Sequence, residues 1–198
     1  MTITYTHRNG LYINLTNRCP NSCDFCVRSY GDTLYGNLWL DREPTVEEVI
    51  AELEKQDLTA FDEIVFCGYG EPTERLEEML TICRYIREKV KLPIRLNTNG
   101  QMELIWGEGA TAKMEGLLDI VSISLNAADA DTYDAVCHSR YGKDAYDAIL
   151  RFAEHVKPYV GKVVLSVVDT TISPVDIEKC REMAENIGVE LRVREFIE

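Results

Sequence analysis

The chain alternates short apolar runs with longer amphipathic stretches. Six runs read as β-strands: Leu11–Thr16, Glu63–Cys67, Ile94–Thr98, Ile120–Leu125, Val163–Val168 and Glu190–Arg194. They are short and rich in Val, Ile and Leu, as expected for a parallel sheet covered on both faces. The stretches between them carry helix signatures. Thr45-x-x-Glu48 is a capping-box sequence, followed by Val46, Val49, Ile50 and Leu53 on one face. Leu76, Met79, Leu80, Cys83, Ile86 and Val90 form a second stripe, and Tyr146, Ile149, Leu150, Ala153 and Val156 a third. Ser173-Pro174 opens a last helix, with Pro in its first turn and Ile177, Cys180, Ala184 and Ile187 on the buried side. Cys83 and Cys180 therefore read as core residues, and His155, off the third stripe, as facing solvent.

Six βα units without a linker, repeat or low-complexity break predict a parallel α/β protein, one domain over residues 1–198. Six strands are too few for a closed eight-stranded barrel. A doubly wound sheet and a partial TIM-like barrel both fit.

Composition narrows the setting. Hydrophobic residues make up 45% and charged residues 28%, and no apolar run approaches membrane-spanning length. Residues 1–10 lack the apolar stretch of a signal peptide, which predicts a cytoplasmic protein with reduced thiols. Seven cysteines is also an odd number, unlike a fully paired disulfide set. The net charge of −13 argues against a nucleic-acid backbone as main partner, while leaving room for a local basic pocket.

Three of the cysteines carry the sharpest signal. Cys19, Cys23 and Cys26 lie in Asn17-Arg18-Cys19-Pro20-Asn21-Ser22-Cys23-Asp24-Phe25-Cys26, directly after the first apolar run. Three thiolates at C-x3-C-x2-C spacing can hold three irons of a 4Fe-4S cube and leave the fourth without a protein ligand. The alternatives are three buried thiols or a structural zinc site. Zinc wants a fourth ligand, and the nearest candidate is His7 on the polar N-terminal segment.

In parallel α/β folds, sites gather at the carboxyl ends of the strands. The unusual polar residues fall there: Cys67-Gly68-Tyr69-Gly70-Glu71-Pro72-Thr73 after the second run, Asn97-Thr98-Asn99-Gly100 at the third, Ser122 to Asn126 at the fourth, Asp169-Thr170-Thr171 after the fifth and Arg192 to Glu195 at the sixth. Gly70 would let backbone approach a ligand closely. The Glu71 carboxylate would assist recognition of an ammonium group or brace its loop.

Together these residues resemble the radical S-adenosylmethionine (SAM) enzymes, across essentially the whole chain. That superfamily has C-x3-C-x2-C after its first strand with an aromatic before the third Cys (here Phe25), Gly-Gly-Glu-Pro after its second, and a (β/α)6 partial TIM-like barrel. In length and layout the chain is similar to the small TatD-associated radical SAM proteins. The resemblance implies a 4Fe-4S cluster on Cys19, Cys23 and Cys26, with SAM chelating the open iron. It places Phe25 near the adenine, Gly70 and Glu71 at the methionine amino group, and Ser124 and Asn126 at the ribose or carboxylate. Val168 and Arg194 would border the adenine. The reaction implied is reductive cleavage of SAM to a 5′-deoxyadenosyl radical that abstracts a substrate hydrogen, fed by a donor such as flavodoxin or ferredoxin. Tyr69 departs from the first Gly of Gly-Gly-Glu-Pro, so no contact is assigned to it.

Several further residues sit near this rim. Arg140 would pair with the SAM carboxylate or an anionic substrate. Cys137 and His138 read as surface-loop residues, with a hydrogen- or proton-donor role as the alternative. Arg28 covers the cluster or caps its loop. Thr98, Asn99 and Arg194 are candidate substrate contacts. With six strands the barrel is expected to open laterally and to be closed by a large substrate or a partner protein. A peptide, a glycyl-radical enzyme and a modified-nucleoside precursor remain open as substrates. A SAM-binding scaffold without turnover and a zinc-stabilised binding module remain the competing readings.

Overall fold

The computed structural model describes residues 1–29 and 36–195. It contains one seven-stranded sheet: β1 (Thr4–His7), β2 (Gly10–Ile13), β3 (Glu63–Phe66), β4 (Ile94–Thr98), β5 (Ile120–Ser124), β6 (Lys162–Val168) and β7 (Glu190–Arg194). The helices are α1 (Val46–Leu53), α2 (Leu76–Lys89), α3 (Met102–Trp106), α4 (Ala130–Cys137), α5 (Asp144–Val156) and α6 (Pro174–Ile187).

The six expected parallel strands are present, and β1 adds a seventh that the polar sequence Thr4-Tyr5-Thr6-His7 hid. It pairs antiparallel with β2 through a tight turn in which Arg8 takes a left-handed φ of 51°. Tyr5 and His7 both pack on Tyr12, with ring centroids 5.2 and 5.6 Å apart. The first run ends as a strand at Ile13 and not at Thr16. There the Asn14 side chain turns to the carbonyls of Thr2 and Leu38, and the chain enters the cysteine loop.

Strand order follows chain order from β1 to β7. A doubly wound sheet must reverse direction at a switch point, and this one does not. Sequential parallel strands joined by crossovers of one hand put every helix on one face. Register confirms the division. Leu11, Ile13, Ile64, Phe66, Ile94, Leu96, Val121, Ile123, Leu165 and Val167 join one apolar core with α2, α5 and α6. The alternate positions carry Tyr12, Glu63, Arg95, Asn97, Ser122, Ser124, Ser166, Arg192 and Arg194 on the opposite face. The expectation of helix cover on both faces is thus corrected: the helix-free, concave face is largely polar, with Val65, Ile120, Val164 and Val168 among its side chains. The result is an open partial barrel.

Helix signals held at both ends. Thr45 and Glu48 form the reciprocal capping box of α1, and Ser173 caps α6 with Pro174 in its first turn. Cys83 and Cys180 are fully buried. His155 is not simply solvated: its Nδ1 lies 3.0 Å from the buried Glu103 carboxylate. No helix among the described residues is long and apolar enough to cross a membrane.

Phe152 on α5 is fully buried in the core. Phe152→Ala is expected to lower unfolding free energy by about 3–5 kcal/mol. Urea denaturation checks this, and a loss under about 1 kcal/mol would contradict a close-packed α5 face.

Candidate functional site

The cysteine loop leaves β2 and is held by backbone. Ser22 N donates to Cys137 O and Asp24 N to Val136 O, both at 3.0 Å, and Arg140 N donates to Pro20 O at 2.9 Å. The loop is thus laid against the C-terminal end of α4. Beneath it runs a buried side-chain network. Asn21 Nδ2 donates to Tyr133 Oη (2.9 Å), Gln101 Nε2 to Asn21 Oδ1 (2.8 Å), and Ser139 Oγ to Gln101 Oε1 (2.7 Å). Sequence reading missed these four residues. Their one visible signal is position, since Asn21 and Gln101 sit inside or beside the singled-out loops. Arg75, also missed, is buried and donates to the carbonyls of Leu15 and Pro44, fixing the exit from β2.

The loop after β3 docks on the same segment. Glu71 N donates to Arg18 O at 2.7 Å. A Cβ on Gly70 would lie 2.2 Å from Thr16 O and 2.6 Å from Arg18 O. Gly70 is therefore required by the close approach of the cysteine loop's own backbone, whatever ligand it also meets.

Glu71 is buried, and its carboxylate accepts four hydrogen bonds. Oε1 takes Thr73 N (3.1 Å), Thr73 Oγ (2.7 Å) and Thr98 Oγ (2.7 Å), while Oε2 takes Asn99 N (2.7 Å). Burial pushes this carboxyl above its usual range, and the four donors oppose the shift. Of the two roles expected for Glu71, bracing is the one the side chain performs here. Thr98 lies in register with the core face and is engaged by Glu71, so it does not face the concave pocket. Asn99 Oδ1 accepts from Gln101 N, and its Nδ2 lies 3.8 Å from Cys19 Sγ. Of the residues expected at a substrate, Asn99 is thus turned toward the cysteine loop and Thr98 toward Glu71.

The three cysteines are each partly exposed and free. Burial pushes the Cys19 thiol up to about 12, with the Glu71 charge adding to it. Cys23 is raised by its hydrogen bond with Cys137 and by burial, and Cys26 by burial. Cys137 is fully buried beside the cysteine loop and is not a surface residue, whereas His138 is exposed, its Nε2 2.8 Å from Asp24. Among the described residues, no three His, Cys, Asp or Glu side chains converge as one bound ion requires. A cube takes each thiolate at a different corner, so three soft sulfur donors on one loop fit it without such convergence.

The remaining expected residues ring the same rim. Ser124 ends β5 on the concave face, half-buried, and Val168 ends β6 in register with Arg194. Asn126 is buried with a left-handed φ of 59°; its Nδ2 lies 4.0 Å from Cys137 Sγ and its Oδ1 has no partner. An orphaned acceptor next to the cysteine loop is what a ligand with hydroxyl or ammonium donors would satisfy. Phe25 packs half-buried against the core. Arg28 caps the loop through Asn21 O at 2.9 Å. Arg140 pairs with Glu74 at 3.1 Å and stays half-exposed, with the Cys19 sulfur in electrostatic reach. Tyr69 is buried edge-on to Trp39, ring centroids 5.2 Å apart.

Two substitutions separate the braces. Glu71→Gln leaves one of the four donors facing an amide NH2, and should cost about 1–3 kcal/mol of stability in denaturant melts. Gly70→Ala should push the cysteine loop aside and lower iron retained per chain after reconstitution; wild-type iron content in that variant would refute the close approach.

Comparison with known proteins agrees with this architecture. A profile of the Radical SAM superfamily matches residues 13–190. No curated protein matches the chain. Among solved structures, Streptococcus suis SuiB bound to precursor peptide SuiA is similar at TM-score 0.70 and 17% identity, over 95% of this chain and 39% of that one. A radical SAM methyltransferase from Sphaerobacter thermophilus gives TM-score 0.69 and 16% identity, over 97% and 57%. Native anSMEcpe with bound AdoMet gives 0.63 and 18%, over 94% and 51%. The chain thus spans between two-fifths and three-fifths of these proteins, which share its fold. The profile covers nearly the whole chain, and the chain belongs to the radical SAM superfamily.

Proposed function

We propose that this protein is a radical SAM enzyme, a single-domain member over residues 1–198 akin to the small TatD-associated proteins of that superfamily. The observation that carries the reading is the braced cysteine loop: Cys19, Cys23 and Cys26 on the rim that also holds Gly70, Ser124 and the unpartnered Asn126 Oδ1. In this reading those cysteines hold three irons of a 4Fe-4S cluster. When bound, the cluster and SAM together supply a one-electron reductive cleavage that yields a 5′-deoxyadenosyl radical able to take hydrogen from a substrate.

The chain's own residues position and protect. Asn99 donates toward Cys19 Sγ, and Glu71 fixes Asn99 through its backbone N–H. Asn126 Oδ1 and Ser124 offer acceptors to the ribose hydroxyls or amino group of SAM. Backbone carbonyls at the loop after β3 offer more, because Gly70 brings that chain close. Arg140, tethered by Glu74, offers a cation to the SAM carboxylate, and Phe25 and Val168 offer apolar surface to the adenine. Buried Tyr69 with Trp39 shields the rim from water.

The reading includes a cytoplasmic location, consistent with seven free cysteines. It includes a flavodoxin- or ferredoxin-type electron donor and a peptide or protein substrate closing the open barrel. A precursor peptide in SuiB and a Kp18Cys peptide in anSMEcpe support the last point.

Anaerobically reconstituted protein should contain about four irons and four sulfides per chain and release 5′-deoxyadenosine from SAM under a strong reductant. Cys23→Ala should lose the cluster and the cleavage together. Stoichiometric zinc without iron would sink the reading in favour of a zinc-stabilised module; bound cluster and SAM without 5′-deoxyadenosine would favour a scaffold.

A further inference from the structure

The concave face carries more positive charge than it neutralises. Arg95 on β4 is answered by Glu63 at 2.5 Å, and Tyr12 Oη accepts from it at 3.1 Å. Lys162 is paired with Glu190. Two further arginines, Arg192 and Arg194, alternate along β7 onto this face, in register with Ser166 and Val168. Neither has a carboxylate partner among the described residues. Arg194 Nε is buried and makes no hydrogen bond. Its charge is favoured by Cys67, past β3, and opposed by Arg192 and Arg95. Desolvation and these like charges push its pKa below the usual arginine range.

A half-buried guanidinium whose Nε is shut away from water without an acceptor, beside two like charges, is unfavourable in a chain of net charge −13 that has acids in surplus. A bound oxyanion removes the difficulty. A carboxylate or phosphate oxygen satisfies Nε and the adjacent Nη together, in the two-point geometry that guanidinium offers. Ser166 on β6, in register with Arg192, and Ser124 beside it on β5 stand on the same face to complete its shell.

We infer that Arg194, assisted by Arg192, is the anchor for an anionic group on the substrate, a carboxylate or a phosphate, within the concave face. This rests on the enzyme reading above and names the substrate class it would take. Of the two expectations for Arg194, it sharpens the substrate contact into an anion anchor and sets aside the adenine border.

The test uses the reconstituted, SAM-loaded protein and calorimetric titration with two probes, succinate and inorganic phosphate. At least one probe should bind at one site per chain. Arg194→Gln should weaken that binding about tenfold or more, and Arg192→Gln by a smaller factor. Arg194→Lys should recover part of it as a point charge without the fork. The probe that binds tighter distinguishes carboxylate from phosphate. Equal affinity in wild type and Arg194→Gln, or no binding of either probe, overturns the inference. Binding that is present without SAM and abolished by it shows that Arg194 serves the SAM carboxylate, and overturns the substrate assignment. Release of 5′-deoxyadenosine by the same wild-type preparation is scored separately. The enzyme reading can therefore fail while the anion site stands, and the reverse.

Discussion

One buried carboxylate ties the rim together. Glu71 accepts from Thr73 on its own loop and from Thr98 and Asn99 at the end of β4. Its backbone N–H donates into the cysteine loop at Arg18 O. Three segments distant in sequence are thereby fixed about one side chain. A buried carboxylate with unmet acceptor capacity is costly, so the three segments have one arrangement in which its donors are all supplied. Asn99 then extends the chain of contacts to Cys19 Sγ. The position of the first cysteine is thus braced from a residue two contacts away.

The second constraint is the winding. Because strand order follows chain order, helices gather on one face and the other is left to side chains alone. Ile, Leu, Val and Phe on the helix face supply the stability. The opposite face is released from packing and can hold Arg95, Asn97, Ser122, Ser124 and Arg194, residues that a doubly covered sheet would exclude. Polar and apolar side chains are divided largely by strand parity.

That parity explains what was legible. Strand and helix positions, the capping box of α1 and the Ser173 cap follow local rules, and they could be read because each is decided within a few residues. The cysteine spacing, Gly70-Glu71-Pro72 and the strand-end polar residues could be read as one rim because parallel folds gather them there. β1 could not, since its stability comes from Tyr5 and His7 packing on Tyr12 after the turn and not from its own polar sequence. Thr98 was misplaced by one step of the pleat: Asn97 faces the concavity and Thr98 the core. Asn21, Gln101, Tyr133 and Ser139 were invisible because their meaning is mutual, with contacts spanning up to 112 residues.

The cysteine loop differs from a metal-dependent fold in where its order comes from. Small zinc domains are unfolded without metal because the ligands are their core. Here the loop is already fixed by three backbone hydrogen bonds to the α4 end and the turn after it, by the Asn21 network and by the Gly70 contact. Burial raises the Cys19 and Cys26 thiol pKa values, so in the proposed reading their ligation as thiolates releases protons. The bonds that hold the loop are made by its backbone and by Asn21, apart from the sulfur atoms themselves. In the reading proposed above, that separation lets the loop keep its place while a cluster with one open iron exchanges its ligand.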